Sequence, residues 1–266
     1  MEAKTTACPV LALGKSAASV AQSLKAQMGE QMDLYAITED VEAALQIIFP
    51  HEQPWRFLLY NRAEVAPDVV KRFGTAARIG GRVIGIEIAA QHEAARASWQ
   101  MGTDILLQTD SERACRDAAA FLLCMAVRPQ PTCGIDFQDV VSMFAGTDHA
   151  RIGTAEASGK LAKAHAIADA LREIDWRLSS MRGLLVNIAG SEERVCTEEM
   201  EGYMNAVMNK AAEDGNMIWG VSIDPALGDT VQVTVIATRG WKREGRDACD
   251  WISRLVEVTF RENDER

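Results

Sequence analysis

A chain of 266 residues, 48% hydrophobic and 25% charged, has the length and composition of a globular protein with one large or two ordinary domains. Its net charge of −10 argues against a nucleic-acid backbone or an anionic membrane as the main partner. Residues 1–14 hold one short apolar run with no basic segment before it, and no stretch reaches bilayer length, so a cytoplasmic location without direct membrane binding is expected.

Pro9 to Leu13 reads as a short buried strand, followed by Gly14-Lys15-Ser16 and a helix with Val20, Leu24 and Met28 at four-residue steps. Gly29 is placed to close that helix. A second strand runs from Leu34 to Ile37, and Asp40 opens a short helix to about Phe49. Trp55 to Tyr60 is a third strand. The turn Asn61-Arg62-Ala63-Glu64 leads from it into a helix through Val65, Val69 and Phe73, with Pro67 in its first turn. Val83 to Ile88 and Ile105 to Leu107 are further strands, and a helix from about 110 to 127 becomes apolar on every side over Ala118 to Val127. Strands alternating with helices predict a mainly parallel sheet covered on both faces.

After Pro129 and Pro131 comes Gly134-Ile135-Asp136-Phe137-Gln138-Asp139, then a short helix with Val140, Val141 and Phe144. Ser158 is expected to start a longer helix with Leu161, Ala164, Ala168 and Leu171 on one stripe. Gly183 to Ile188 is a strand, and Thr197 is placed to cap a helix that buries Met200, Tyr203, Val207 and Ala211. Met217 to Ile223 and Val231 to Thr238 are strands joined by the turn-rich segment Asp224 to Asp229. The apolar density of residues 247–260 predicts an ordered extension that covers a sheet edge.

Few residues read as chemistry from spacing alone. Six cysteines stand singly at 8, 115, 124, 133, 196 and 249, and the four histidines are equally dispersed, so no metal is expected and free thiols are the default. Gly14-Lys15-Ser16 lacks the earlier glycine of a phosphate-binding loop, because Pro9 stands at that position, and the later glycines of a dinucleotide loop are Ser16 and Ala17. Asp136 and Asp139 open a helix and can serve as its cap, or as a carboxylate pair presented to another molecule.

The second half resembles the C-terminal domain of FtsZ, the bacterial tubulin homologue that polymerises into the cell-division ring. The phrases that carry the resemblance are Asp136-Phe137-x-Asp139-Val140, Ala157-Ser158-Gly159, Arg182-Gly183-Leu184-Leu185-Val186-Asn187-Ile188, Gly220-Val221-Ser222-Ile223-Asp224-Pro225 and Val231-x-Val233-Thr234-Val235-x-Ala237-Thr238. In that family, the loop resembling Gly134 to Asp139 enters the nucleotide site of the next subunit, and its two aspartates position the water that attacks GTP. The resemblance thus implies that Asp136 and Asp139 act only in trans, with Gly134, Ile135, Phe137 and Gln138 as interface. Gly134 replaces a family asparagine that touches the nucleotide.

The first half is similar to the family's GTPase domain only in part. Gly14, Lys15 and Asp40 stand at vestigial nucleotide-binding positions, the segment between Leu45 and Trp55 is shortened, and Asn61 to Pro67 replaces the glycine-rich signature with an acidic turn. Glu64 in that turn would repel a phosphate.

The expected architecture is α/β. Residues 1–133 would form a Rossmann-like, degenerate GTPase domain with the central buried helix, and 134–266 a smaller FtsZ-type domain with its extension. The function implied is that of a pseudo-GTPase without cofactor or autonomous GTPase activity, capping or regulating an FtsZ-type subunit or self-associating. The alternatives are a residual GTPase that binds GTP or GDP in an altered pocket, and a repurposed scaffold that binds another ligand or protein.

Overall fold

Alternation of buried strands with one-sided helices, legible along the chain, is realised in a computed structural model that describes residues 7–39, 55–79, 81–89, 98–127, 140, 143–144, 150–195, 197–211 and 215–239. Asp40 and the short helix after it, the whole of Gly134 to Asp139, and the extension beyond Arg239 lie outside the described residues. The chain divides into two units. The first comprises residues 1–130 with 148–150, and the second comprises 131–147 with 151–266.

In the first unit, strands β1 (Cys8–Leu13), β2 (Met32–Ile37), β3 (Trp55–Asn61), β4 (Arg82–Ile88) and β5 (Ile105–Thr109) lie in the order β2-β1-β3-β4-β5. All four pairings are parallel. Parallel strands need crossovers; α1 (Lys15–Met28) lies between β1 and β2 and α2 (Pro67–Ala77) between β3 and β4, while α3 (Glu112–Val127) follows β5. Pro67 sits in the first turn of α2, where a missing N–H costs no helical hydrogen bond, and Gly29 follows α1 with its N–H on the Lys25 carbonyl. One side of the sheet packs Leu11, Leu13, Leu58 and Tyr60 against Val70 and Phe73 of α2. Ala118, Ala119, Leu122 and Leu123 of α3 are fully buried, whereas Ala120 and Phe121 between them are only half-buried.

In the second unit, β6 (Ala150–Ser158), β7 (Met181–Gly190), β8 (Asn216–Ile223) and β9 (Thr230–Arg239) lie in the order β6-β9-β7-β8. The β7–β8 pairing is parallel and the β7–β9 pairing antiparallel. Helices α4 (Ala162–Ile174) and α5 (Thr197–Met208) contribute Ile167, Leu171, Met200, Tyr203 and Met204 to one core with Leu184, Val186, Val233 and Val235. Arg151 and Arg239 both approach the Trp176 ring, with guanidinium carbons 5.6 Å from its centroid.

One expectation is corrected here. Ser158 does not start the long helix; it is the last residue of β6, a strand the sequence did not announce, and α4 begins only at Ala162. Between them Gly159 adopts φ +87°, a turn conformation open to glycine. At Gly153, in the middle of this strand, α4 leaves no room for a side chain. A Cβ on Gly153 would lie 2.0 Å from the Ala170 carbonyl oxygen and 3.1 Å from Ile174 Cγ1. Sequence periodicity cannot show such a contact, since the bulk that would mark a strand is what the packing forbids.

The turn that faces the head of helix α1

In a doubly wound sheet, ligands bind outside the carboxyl ends of the strands, at the point where strand order reverses. Here that point lies between β1 and β3, whose neighbours run outward in opposite directions. Two turns border it, Gly14 between β1 and α1, and Arg62 to Ala66 between β3 and α2.

Gly14 takes φ +86°, and its N–H donates to the Ile37 carbonyl at 3.0 Å. It has no room for a side chain, because a Cβ would sit 2.6 Å from Glu64 Oε2. Beyond it α1 starts with no side-chain cap of its own. Its first amides meet Glu64 instead. The Ser16 N–H lies 3.1 Å from Glu64 Oε2 and 3.3 Å from Oε1, and the Ser16 hydroxyl also bonds Oε1. A carboxylate at this place satisfies donors that the helix cannot pair internally and complements its positive end.

The turn that carries Glu64 is held from several sides. Asn61 accepts from the Ala63 N–H at 2.9 Å through its side chain, and its carbonyl accepts from the Glu64 and Val65 N–H groups at 3.0 and 3.2 Å. Asn61 Nδ2 donates to the Ser16 hydroxyl at 3.4 Å, and the Arg62 N–H donates to the Ile88 carbonyl at 2.9 Å. The Arg62 guanidinium pairs with Glu87, which is wholly buried on β4, and Gln108 on β5 donates to the same carboxylate oxygen at 3.1 Å.

The limited burial of Glu64 would by itself raise its pKa. The hydrogen bonds from the Ser16 hydroxyl and from the Ser16 and Lys15 amides outweigh that, with help from the Lys15 charge, and hold the carboxyl below its ordinary value. Glu64 is thus an anion at neutral pH, seated on the first amides of α1.

Of the sequence-predicted site residues, Gly14 and Lys15 take part in this arrangement as the turn and first residue of α1. Asp40, Gly134, Ile135, Asp136, Phe137, Gln138 and Asp139 lie outside the described residues. Ser16 and Asn61, which carry much of the geometry, were not singled out by sequence reading. Among the described residues, no group of three or more His, Cys, Asp and Glu side chains could hold a metal ion. No described helix is long and apolar enough to cross a membrane.

The FtsZ family C-terminal domain matches residues 146–240. The cell division protein FtsZ 1 of Archaeoglobus fulgidus is 33% identical over 106 residues, which are 39% of this chain and 28% of that protein. The FtsZ of Buchnera aphidicola subsp. Schizaphis graminum is 37% identical over 109 residues, with the same coverage of 39% and 28%. The matched region therefore spans under a third of those relatives.

The fold likeness extends further. A structure of the M. jannaschii FtsZ dimer, empty, superposes with a TM-score of 0.69 at 16% identity, over 88% of this chain and 89% of that one. The GTPγS-bound protofilament of CetZ2 from Haloferax volcanii gives 0.60 at 13% identity, over 97% and 99%. By fold this is a two-unit α/β protein of the FtsZ type. Residues 146–240, nearly all in the second unit, are similar to an FtsZ-type C-terminal domain, and the fold of the chain is similar to those of solved FtsZ and CetZ structures.

Proposed function

We propose that this protein is a pseudo-GTPase, an FtsZ-like chain that assembles or docks without binding a nucleotide of its own. The observation that carries the reading is the Glu64 carboxylate on the first amides of α1, behind a Gly14 that leaves no space between them. A phosphate placed there would compete with a tethered anion for the same donors and meet its charge. The turn cannot easily swing aside, since Arg62 anchors it to buried Glu87 and Asn61 ties it to Ser16.

What remains to such a chain is association. The M. jannaschii relative is a dimer and the Haloferax relative a protofilament, which supports self-association or docking on an FtsZ-type subunit in cell division. In this reading the Gly134 to Asp139 loop is a docking face, and Asp136 and Asp139 bear on a partner's nucleotide only. The protein works in the cytoplasm and needs no cofactor.

Isothermal titration with GTP and GDP tests the first half of the proposal. No saturable heat is expected up to millimolar nucleotide. Saturable GTP binding that disappears in Lys15→Ala would establish the residual-GTPase alternative instead. Co-sedimentation alone, and with a cognate FtsZ and GTP, tests the second half; the chain is expected in the pellet or altering the partner's turnover. No pellet and no effect on turnover would sink the association role.

A further inference from the structure

Two large apolar side chains stand well out in solvent among the described residues, Ile79 at 69% and Ile223 at 59% exposure. Singly, either would need no explanation. Their surroundings carry opposite charge, and that difference points to what covers them.

Ile79 follows α2 in the first unit, at the amino ends of β3 and β4 and so at the opposite ends of the strands from Glu64. Its carbonyl accepts from the Arg56 guanidinium at 2.7 Å, and so does that of Ala77. Arg56 is wholly buried on β3, so a costly interior cation fixes the turn that presents Ile79. Exposed cations surround it. Lys71 and Arg78 lie seven residues apart on one side of α2 and its end, and Arg82 opens β4 with its guanidinium carbon 5.9 Å from the Trp55 ring centroid. Asp104 pairs with Arg78 at 3.0 Å, whereas Lys71 and Arg82 pair with no carboxylate among the described residues.

Ile223 ends β8 in the second unit, on a cleft of about 600 Å³ between the turn after β7 and the connection from β8 to β9. Pro225 lines the cleft with it, and Glu192, Glu193 and Asp229 bring carboxylates. Arg194 lines it too, but its guanidinium is engaged by the Gly159 carbonyl and by Asp229 Oδ1 at 3.4 Å. Glu192 and Glu193 are exposed and pair with no cation among the described residues.

We propose that the Ile79 face of one copy docks in the Ile223 cleft of a second copy, with Lys71 and Arg82 against Glu192 and Glu193. Copies of a chain with net charge −10 repel one another, and a cationic face with its own acidic counterpart offsets that locally and sets the orientation. The two surfaces differ, so the contact is heterologous and repeats from copy to copy. The inference rests on the self-association reading above and names its surfaces.

Sedimentation velocity of the full chain over a range of concentrations tests it. Concentration-dependent larger species are expected at about 0.01 M salt and are lost at about 1 M, where the screening length falls to about 3 Å. Ile79→Ser and Ile223→Ser should each weaken association about tenfold or more, through the apolar contact removed. Lys71→Glu/Arg82→Glu and Glu192→Lys/Glu193→Lys should each leave the chain monomeric alone. Mixed, the two should associate, because the reversed face of one meets the reversed cleft of the other; a folding defect in either would not be rescued in this way. A chain that stays monomeric at every concentration overturns both this inference and the self-association reading. Association that ignores the charge reversals, or reversed chains that stay apart when mixed, overturns this inference alone and assigns self-association to another surface.

Discussion

Replacing Glu64 by alanine separates a resident anion from an idle surface carboxylate. The substitution removes the acceptor of the Ser16 N–H and hydroxyl at the head of α1. Loss of a helix-capping acceptor costs about 1 kcal/mol. The lost charge adds ~0.3 kcal/mol, the low end of the helix-dipole range because Glu64 is exposed and solvent screens it. Glu64→Ala should therefore unfold at lower urea, corresponding to about 1.3 kcal/mol, while Glu64→Gln, which keeps an oxygen acceptor, should lose only the ~0.3 kcal/mol.

The pH dependence has a definite sign. The folded pKa lies below the ordinary value of 4.5, so the stabilisation is present above pH 4.5 and is lost as pH falls through the folded value. The gap between wild type and Glu64→Gln should accordingly close in that acid window. Equal stability of wild type and Glu64→Ala at pH 7 would refute the reasoning, because the carboxylate would then do nothing for the helix it touches.

Three further outcomes follow from the same geometry. Gly153→Ala places a methyl against the Ala170 carbonyl and should cost about 1–3 kcal/mol or more in urea unfolding, although alanine is no more polar and the backbone there is ordinary. Arg62→Met leaves Glu87 buried without its cation and should cost about 3–5 kcal/mol, whereas the double change with Glu87→Leu should cost less than the sum of the two single changes. Cys8 is buried, and burial raises its thiol pKa to about 12, with the Asp33 charge adding to the effect, so it should resist alkylation at pH 8 in the folded protein and react on unfolding, read site by site by mass spectrometry.

The sequence by itself determined the alternation of strands and helices, because that information is local. Period and punctuation placed α1 between Gly14 and Gly29 and α2 behind Pro67. The motif Arg182 to Ile188 marked β7, and Val231, Val233 and Val235 marked a strand whose three valines are all fully buried. The same local character explains the misplaced start of α4. Ser158 followed by an apolar stripe has the form of a helix start, and the close approach of α4 to Gly153 is a contact that local sequence does not show.

What the tertiary structure alone decided is the meaning of the acidic turn. Glu64 and Ser16 are 48 residues apart, and nothing in either neighbourhood names the other. As a residue in a loop, Glu64 could be read only as unfavourable to a phosphate. Parallel pairing of β1 with β3 brings their carboxyl ends side by side, and with them the head of α1 and the turn before α2. That juxtaposition seats the Glu64 carboxylate on the first amides of α1.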